Sequence, residues 1–166
     1  MSDLLLRCEP DCALFAGEGV AIRLAEPMAR YSLRARDAQA LEDLLGLAVP
    51  RQIGASLGDI ACLGPDEWLL CAPAGTVLAS GSGLPVAITD VSERAVRLLV
   101  EGPRAADVLM AGCPLDLDRF AVGRVTRTVF ETVEIVVWRL RDDLFAVEVW
   151  RSFAPWLQLA LTSAAE

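Results

Sequence analysis

Short apolar runs, each cut off by a glycine, a proline or an acidic turn, recur along the chain from residue 20 to residue 150. Runs of that length, bounded that way, form strands more readily than long helices, so they confine the chain to a strand-rich fold. Val20-Ala-Ile-Arg-Leu and Tyr31-Ser-Leu-Arg-Ala are the first two strands. Asp37 caps a helix with Ala38, Leu41, Leu44 and Leu45 on one face; Gly46 weakens its end and Pro50 cannot continue it. Residues 59–63 and 67–71 make a hairpin across Gly64-Pro-Asp, with Pro65 and Asp66 as turn formers. The charge-free stretch 68–89 is long enough for a membrane helix, but Pro73, Gly75, Gly81, Gly83 and Pro85 divide it into strand, loop and strand.

The pattern then recurs. Residues 86–90 and 95–101 read as strands, the second with Val96, Leu98 and Val100 on one face. Gly102-Pro103 opens a helix whose core candidates are Ala106, Val108 and Leu109, and Cys113-Pro114 ends it. Residues 122–130 and 133–140 form long strands joined by a Glu-Thr turn, and Arg141-Asp-Asp leads into a strand over 144–150. Ser152 then caps a C-terminal amphipathic helix carrying Phe153, Trp156, Leu157 and Leu161. Each half reads strand–strand–helix–strand–strand, with 31–73 paralleling 96–150. The expected fold class is α+β: two pseudo-repeated halves with antiparallel sheets covered by helices. No linker separates them, so residues 1–166 are expected to form a single domain.

Composition decides what chemistry is open. Hydrophobic residues make up 54% of the 166, and mean hydropathy is +0.44. That surplus means either a generous core or a surface covered by a partner. Formal net charge is -8, with no basic block, which argues against nucleic acid. All 15 basic residues are Arg and there is no His, so imidazole bases, imidazole ligands and lysine Schiff bases are excluded. Cys8, Cys12, Cys62, Cys71 and Cys113 form no C-x-x-C pair, and no metal site is expected. Cys62 and Cys71 lie in apolar runs, as buried small hydrophobes do. An odd thiol count and an N-terminus without a signal-peptide pattern point to the cytoplasm, with no membrane association.

A few residues stand out individually. Asp116 and Asp118 are spaced to hold a metal or act as a base, although a turn is the simpler reading. Arg124 and Arg127, three apart on one strand, point to opposite faces. Trp68, Trp138, Trp150 and Trp156 divide between core and partner surface, with two or three expected inside. Arg127 and Arg151 complete the interface candidates. Gly17-Glu-Gly19 and Gly81-Ser-Gly83 lack the strand–turn–helix setting of a phosphate loop.

An ordered set of motifs resembles the sarcosine oxidase gamma subunits. It comprises Leu63-Gly-Pro-Asp-Glu-Trp-Leu-Leu, Asp90-Val-Ser, Glu101-Gly-Pro, Gly112-Cys-Pro-Leu-Asp-Leu, Val122-Gly-Arg-Val-Thr-Arg-Thr and Arg151-Ser-Phe, spanning roughly 59–161. The resemblance implies the small subunit of a four-subunit enzyme, with alpha, beta and delta chains as partners. That enzyme oxidatively demethylates sarcosine to glycine and passes the one-carbon unit to tetrahydrofolate. FAD, FMN, NAD and tetrahydrofolate are implied for the other subunits, with no cofactor in this chain.

A second resemblance is to the tetrahydrofolate-binding domain of the glycine-cleavage T-protein. Its Thr-Asn-Asp motif corresponds here to Pro114-Leu115-Asp116, so Asp116 is kept while the Asn position holds Leu115. A pterin pocket needs polar groups at several points. The resemblance therefore implies a folate-binding fold reused as scaffold, with Asp116 as a vestige. The expected role is structural, without catalysis by this chain. The alternative is a free-standing, folate-dependent aminomethyltransferase using Asp116.

Overall fold

The computed structural model describes residues 13–81 and 83–166. In chain order its elements are β1 (Ala13–Gly17), β2 (Val20–Leu24), β3 (Met28–Ala35), α1 (Ala38–Leu45), β4 (Ser56–Leu57), β5 (Ile60–Gly64), β6 (Glu67–Pro73) and β7 (Val86–Asp90). Next come β8 (Ala95–Glu101), α2 (Ala105–Met110), β9 (Val125–Phe130), β10 (Val133–Arg141), β11 (Leu144–Trp150), a 3-10 turn (Arg151–Phe153) and α3 (Ala154–Ala165). The result is a mixed, strand-rich fold with two sheets and few helices. It divides into two compact units: Pro27–Glu93, and the described residues up to Glu26 together with Arg94–Glu166.

The inserted unit, Pro27–Glu93, is built on a five-stranded antiparallel sheet in the order β4-β5-β6-β3-β7. Strand alternation sends Tyr31, Leu33, Ile60, Cys62, Trp68 and Leu70 into one core with Leu41 and Val49. The Asp37 carboxylate accepts from the Gln39 N–H at 2.9 Å, and Gly46 closes α1 at φ 66, both as the sequence indicates. The Trp68 indole donates to the Pro50 carbonyl at 2.7 Å, fixing the chain that leaves α1. At the sheet edge Tyr31 stands opposite Asp90, and the Val91 N–H donates to the Arg30 carbonyl.

The other unit has a six-stranded antiparallel sheet in the order β1-β2-β8-β11-β10-β9. Its core holds Ile22, Leu98, Val100, Phe130, Ile135, Val137, Phe145 and Val147 from the strands. Val108 and Leu109 of α2, with Leu157 and Leu161 of α3, cover that face. In each sheet the strand before the helix lies beside the third strand after it: β3 by β6, and β8 by β11.

Several elements depart from expectation. β1 and the two-residue β4 have no counterpart in the strand reading. β9 starts at Val125 instead of residue 122, because Gly123 turns the chain at φ 80 while its N–H donates to the Arg139 carbonyl. Arg124 therefore precedes the strand. Ser152 does not cap the last helix: it lies in the 3-10 turn, Phe153 is the cap residue without a side-chain bond, and Pro155 supplies a preset φ in the first turn. Ala105 joins Val108 and Leu109 in the core, while Ala106 is only partly buried. Cys62, Cys71 and Cys113 are free and buried, and burial pushes the Cys62 thiol up. Cys8 and Cys12 lie outside the described residues. Among the described residues no helix is long and apolar enough to cross a membrane.

Candidate functional site

The corner where β11 passes into α3 concentrates exposed apolar side chains. On α3, Ala154, Leu157, Leu161 and Ala165 are buried in the core. Three-residue steps then place Phe153, Trp156 and Leu159 on the outward side, and all three are exposed. A helix that is apolar all round is ordinarily covered on both sides. The Trp156 ring meets Phe130 edge-on at 6.4 Å, so the indole is held in place while its other side faces outward. Trp150, at the end of β11, is also exposed, but on the other side of the sheet. Strand alternation points it away from the α3 side, because its neighbour Val149 faces the core.

The four tryptophans thus divide cleanly. Trp150 is 46% exposed and Trp156 37%, whereas Trp68 is 3% and Trp138 2% exposed. Burial removes Trp68 and Trp138 as surface candidates, a correction with a chemical reason in each case. Trp68 spends its N–H on Pro50, and Trp138 carries the Arg97 guanidinium 5.4 Å from its ring centre. Arg97 in turn donates from Nε to Glu148 Oε1 at 2.6 Å, across directly opposed positions of β8 and β11. Sequence reasoning misses this buried ion pair. Its only signal is two lone, opposite charges inside otherwise apolar strands.

Asp116 lies on the exposed loop after α2. Its carboxylate accepts from the Arg119 N–H at 3.3 Å, which makes it a turn residue locally. Leu115 packs on the core and Leu117 is fully buried, so the loop is anchored on both sides of Asp116. The Arg139 guanidinium fastens the same loop, donating to the carbonyls of Leu117 at 3.2 Å and Phe120 at 2.7 Å. Among the described residues no group of three or more His, Cys, Asp or Glu is placed to hold a metal. Arg127 is exposed on β9, 3.7 Å from Glu134, away from the corner in sequence. Arg151 belongs to the corner, and its N–H donates to the Arg94 carbonyl at 2.9 Å.

The motif residues hold backbone together. Gly102 has φ 124 and its Cα approaches the Gly19 carbonyl so closely that a Cβ would lie 2.5 Å from that oxygen. Gly112 leaves room for Phe130, whose ring a Cβ would meet at 2.5 Å; that ring supports Trp156. Asp90 accepts from both the N–H and the hydroxyl of Ser92, which hold its carboxyl below the usual range, hydroxyl first. The Ser92 hydroxyl also accepts from the Arg30 N–H at 3.0 Å. Arg34 clasps Asp66 and Glu67 at the β5–β6 turn.

These motifs lie within a wider match. The family described as "Sarcosine oxidase, gamma subunit family" matches residues 29–166. The chain belongs to that family. Among its gamma-subunit relatives, the sarcosine oxidase subunit gamma of Arthrobacter sp. is 35% identical over 120 residues, covering 65% of this chain and 59% of its own length. The subunit gamma of Corynebacterium sp. (strain U-96) is 33% identical over 145 residues, covering 76% and 71%. That of Corynebacterium sp. (strain P-1) is 30% identical over 126 residues, covering 69% and 62%. This gamma-family chain therefore aligns with about three fifths of the Arthrobacter protein.

A chain of the heterotetrameric sarcosine oxidase from Corynebacterium sp. U-96, in complex with pyrrole 2-carboxylate, superposes with a TM-score of 0.82. It is 29% identical, with 90% of this chain and 86% of that one covered. The glycine cleavage system aminomethyltransferase T from Bartonella henselae gives a TM-score of 0.69 at 18% identity, covering 89% of this chain and 47% of that one. The second likeness establishes that the fold of the gamma-family chain is shared with about half of the aminomethyltransferase T chain, and nothing about its activity.

Proposed function

We propose that this chain is the non-catalytic gamma subunit of a heterotetrameric sarcosine oxidase and that it packs against the large subunit of that assembly. The observation that carries the reading is the outward side of α3 and its cap, where the cap residue Phe153 and the helical Trp156 and Leu159 are exposed beside a helix already apolar on its inner face. In this reading the alpha, beta and delta subunits hold FAD, FMN, NAD and tetrahydrofolate, and they carry out the demethylation of sarcosine to glycine. The cytoplasm is its proposed location, in keeping with the buried free thiols of Cys62, Cys71 and Cys113.

The folate site is proposed to be vestigial. Asp116 is exposed with its carboxylate used on the Arg119 N–H, and Leu115 fills the Asn position while packing on the core. These residues do not fit a folate-binding group, so no chemistry is assigned to them. The shared strand order of β4-β5-β6-β3 and β9-β10-β11-β8 supports an ancient duplication as the origin of the two units.

The decisive experiment co-expresses the chain with the three other subunits and measures its retention in the complex. Trp156→Ala is expected to weaken association by roughly 2 kcal/mol or more, the loss typical of a buried aromatic anchor. Unchanged retention of Trp156→Ala would remove α3 as the interface, and a wild-type chain that stays apart would remove the whole reading. That residues 1–166 behave as one domain is likewise proposed, since Pro27–Glu93 interrupts the other unit in sequence. Hydrogen exchange should then give Leu33 and Val147, in the two cores, the same opening free energy. Clearly different values would make the units independent.

A further inference from the structure

We infer that the outer edge of β7 takes up an extended segment of another subunit as an added antiparallel strand. On the subunit reading above, from which this follows, the five-stranded sheet is completed only in the assembled enzyme.

The protein carries its own template for that strand. β2 and β7 are counterparts: both begin Val-Ala-Ile, at residues 20–22 and 86–88, and each lies beside a strand that precedes a helix, β2 by β8 and β7 by β3. They differ on the outer side. β1 pairs antiparallel with β2, whereas among the described residues no strand pairs with the outer edge of β7. Exposure follows the difference. Val20 and Ile22 are buried and Ala21 half-buried, but Val86 and Ile88 are only half-buried and Ala87 is exposed.

The backbone of β7 is set to receive such a neighbour. The Val91 N–H donates to the directly opposed Arg30 carbonyl, so the antiparallel alternation gives Ala87 and Thr89 to the β3 ladder. The main-chain groups of Val86, Ile88 and Asp90 then point away from β3. Open edges are ordinarily protected against pairing. The other three edges are: β1 has a register shift between Ala13 and Phe15, β4 is two residues long, and β9 carries Arg127. β7 is regular, has no proline within it, and bears no charge before its last residue, Asp90.

The chain's own neighbouring segment is engaged elsewhere. The Thr76 carbonyl accepts from the Tyr31 hydroxyl at 2.6 Å, and Leu78 packs on the core. Two copies of a chain with net charge -8 repel each other, which favours a different subunit as the donor. On β2, Phe15 stands opposite Ile22 and Ala16 opposite Ala21. The strand that fits β7 accordingly places a large apolar residue opposite Ile88 and a small one opposite Ala87. Its main chain supplies the attraction and these two positions the selectivity.

Hydrogen exchange on the isolated chain and on the assembled four-subunit complex tests this. The Ile88 amide is expected to exchange freely in the isolated chain and to slow by about a hundredfold or more in the complex. Ile88→Pro removes that outward N–H without taking a bond from β3. It should weaken association about tenfold more than Ile88→Ala, which loses the same side-chain packing but keeps the N–H. Thermal unfolding of each variant checks folding, and the exchange measurement decides alone if Ile88→Pro does not fold. An Ile88 amide that exchanges equally in both states, in a complex that does form, overturns the inference and leaves the subunit reading standing. Protection already present in the isolated monomer would mean that this chain covers its own edge. Protection that rises with concentration of the isolated chain would make a second copy the occupant. Either result overturns the inference, and a wild-type chain that never enters the complex defeats both readings.

Discussion

Replacing Glu148 with Ala is expected to destabilise the fold by about 3–5 kcal/mol, the usual loss when one partner of a buried ion pair is removed. The Glu148 carboxylate lies 2.6 Å from Arg97 Nε, with both side chains buried and the guanidinium over Trp138. Without that carboxylate a positive charge stays inside a β-sheet between apolar strands. Changing both partners together, Arg97→Met with Glu148→Leu, should restore most of the loss, because apolar groups of similar size need no counter-charge. Chemical denaturation of the two variants and the wild type measures the difference. A Glu148→Ala loss below about 1 kcal/mol, or a double variant no better than the single, would mean the pair does not hold β8 to β11 in this way.

Gly102→Ala should cost about 3 kcal/mol, combining a φ of 124 with backbone that has nowhere to move. The added Cβ would lie 2.5 Å from the Gly19 carbonyl oxygen, 3.0 Å from its carbon and 3.1 Å from the Val20 Cα. That carbonyl also accepts the Arg104 N–H, so relieving the clash pulls on the entry to α2. Gly75→Ala supplies the contrast. Gly75 has φ 81, but no atom lies within 4 Å of where its added methyl would sit, so only the conformational cost of about 1–2 kcal/mol applies. Equal melting midpoints for the two variants would show that the Gly19 approach is not rigid.

What can be read in advance follows from how local each signal is. The β5–β6 hairpin is legible because Pro65 and Asp66 sit between two apolar runs, and α1 because Asp37 and Gly46 bracket it. Gly123 reads through as strand, since the strand-forming valines and threonines of residues 122–130 run on without a proline or acidic turn, and only the structure shows the chain turning at that glycine. The Ser152 expectation fails for a similar reason: a favourable cap residue lies one 3-10 turn too early, and Pro155 starts the helix without it. The Arg97–Glu148 pair depends on β8 lying beside β11, which no local pattern specifies. The candidate surface is half legible. Four tryptophans and an apolar surplus suggest a covered face, but Trp138 and Trp150 both sit in strands, and only the sheet decides which is inside.

The pairing of β3 with β7 bears on how the six-stranded sheet can close. β2 must find β8, with Leu24 opposite Leu98, across everything between them. In an unfolded chain that is a long loop, and its closure entropy opposes the pairing before any contact rewards it. Once Tyr31 stands opposite Asp90, the ends of the inserted unit are tied side by side. The free chain left to close is then only the few residues on either side of that ladder. Forming Pro27–Glu93 does for β2 and β8 what a tight turn does for neighbouring strands in a hairpin.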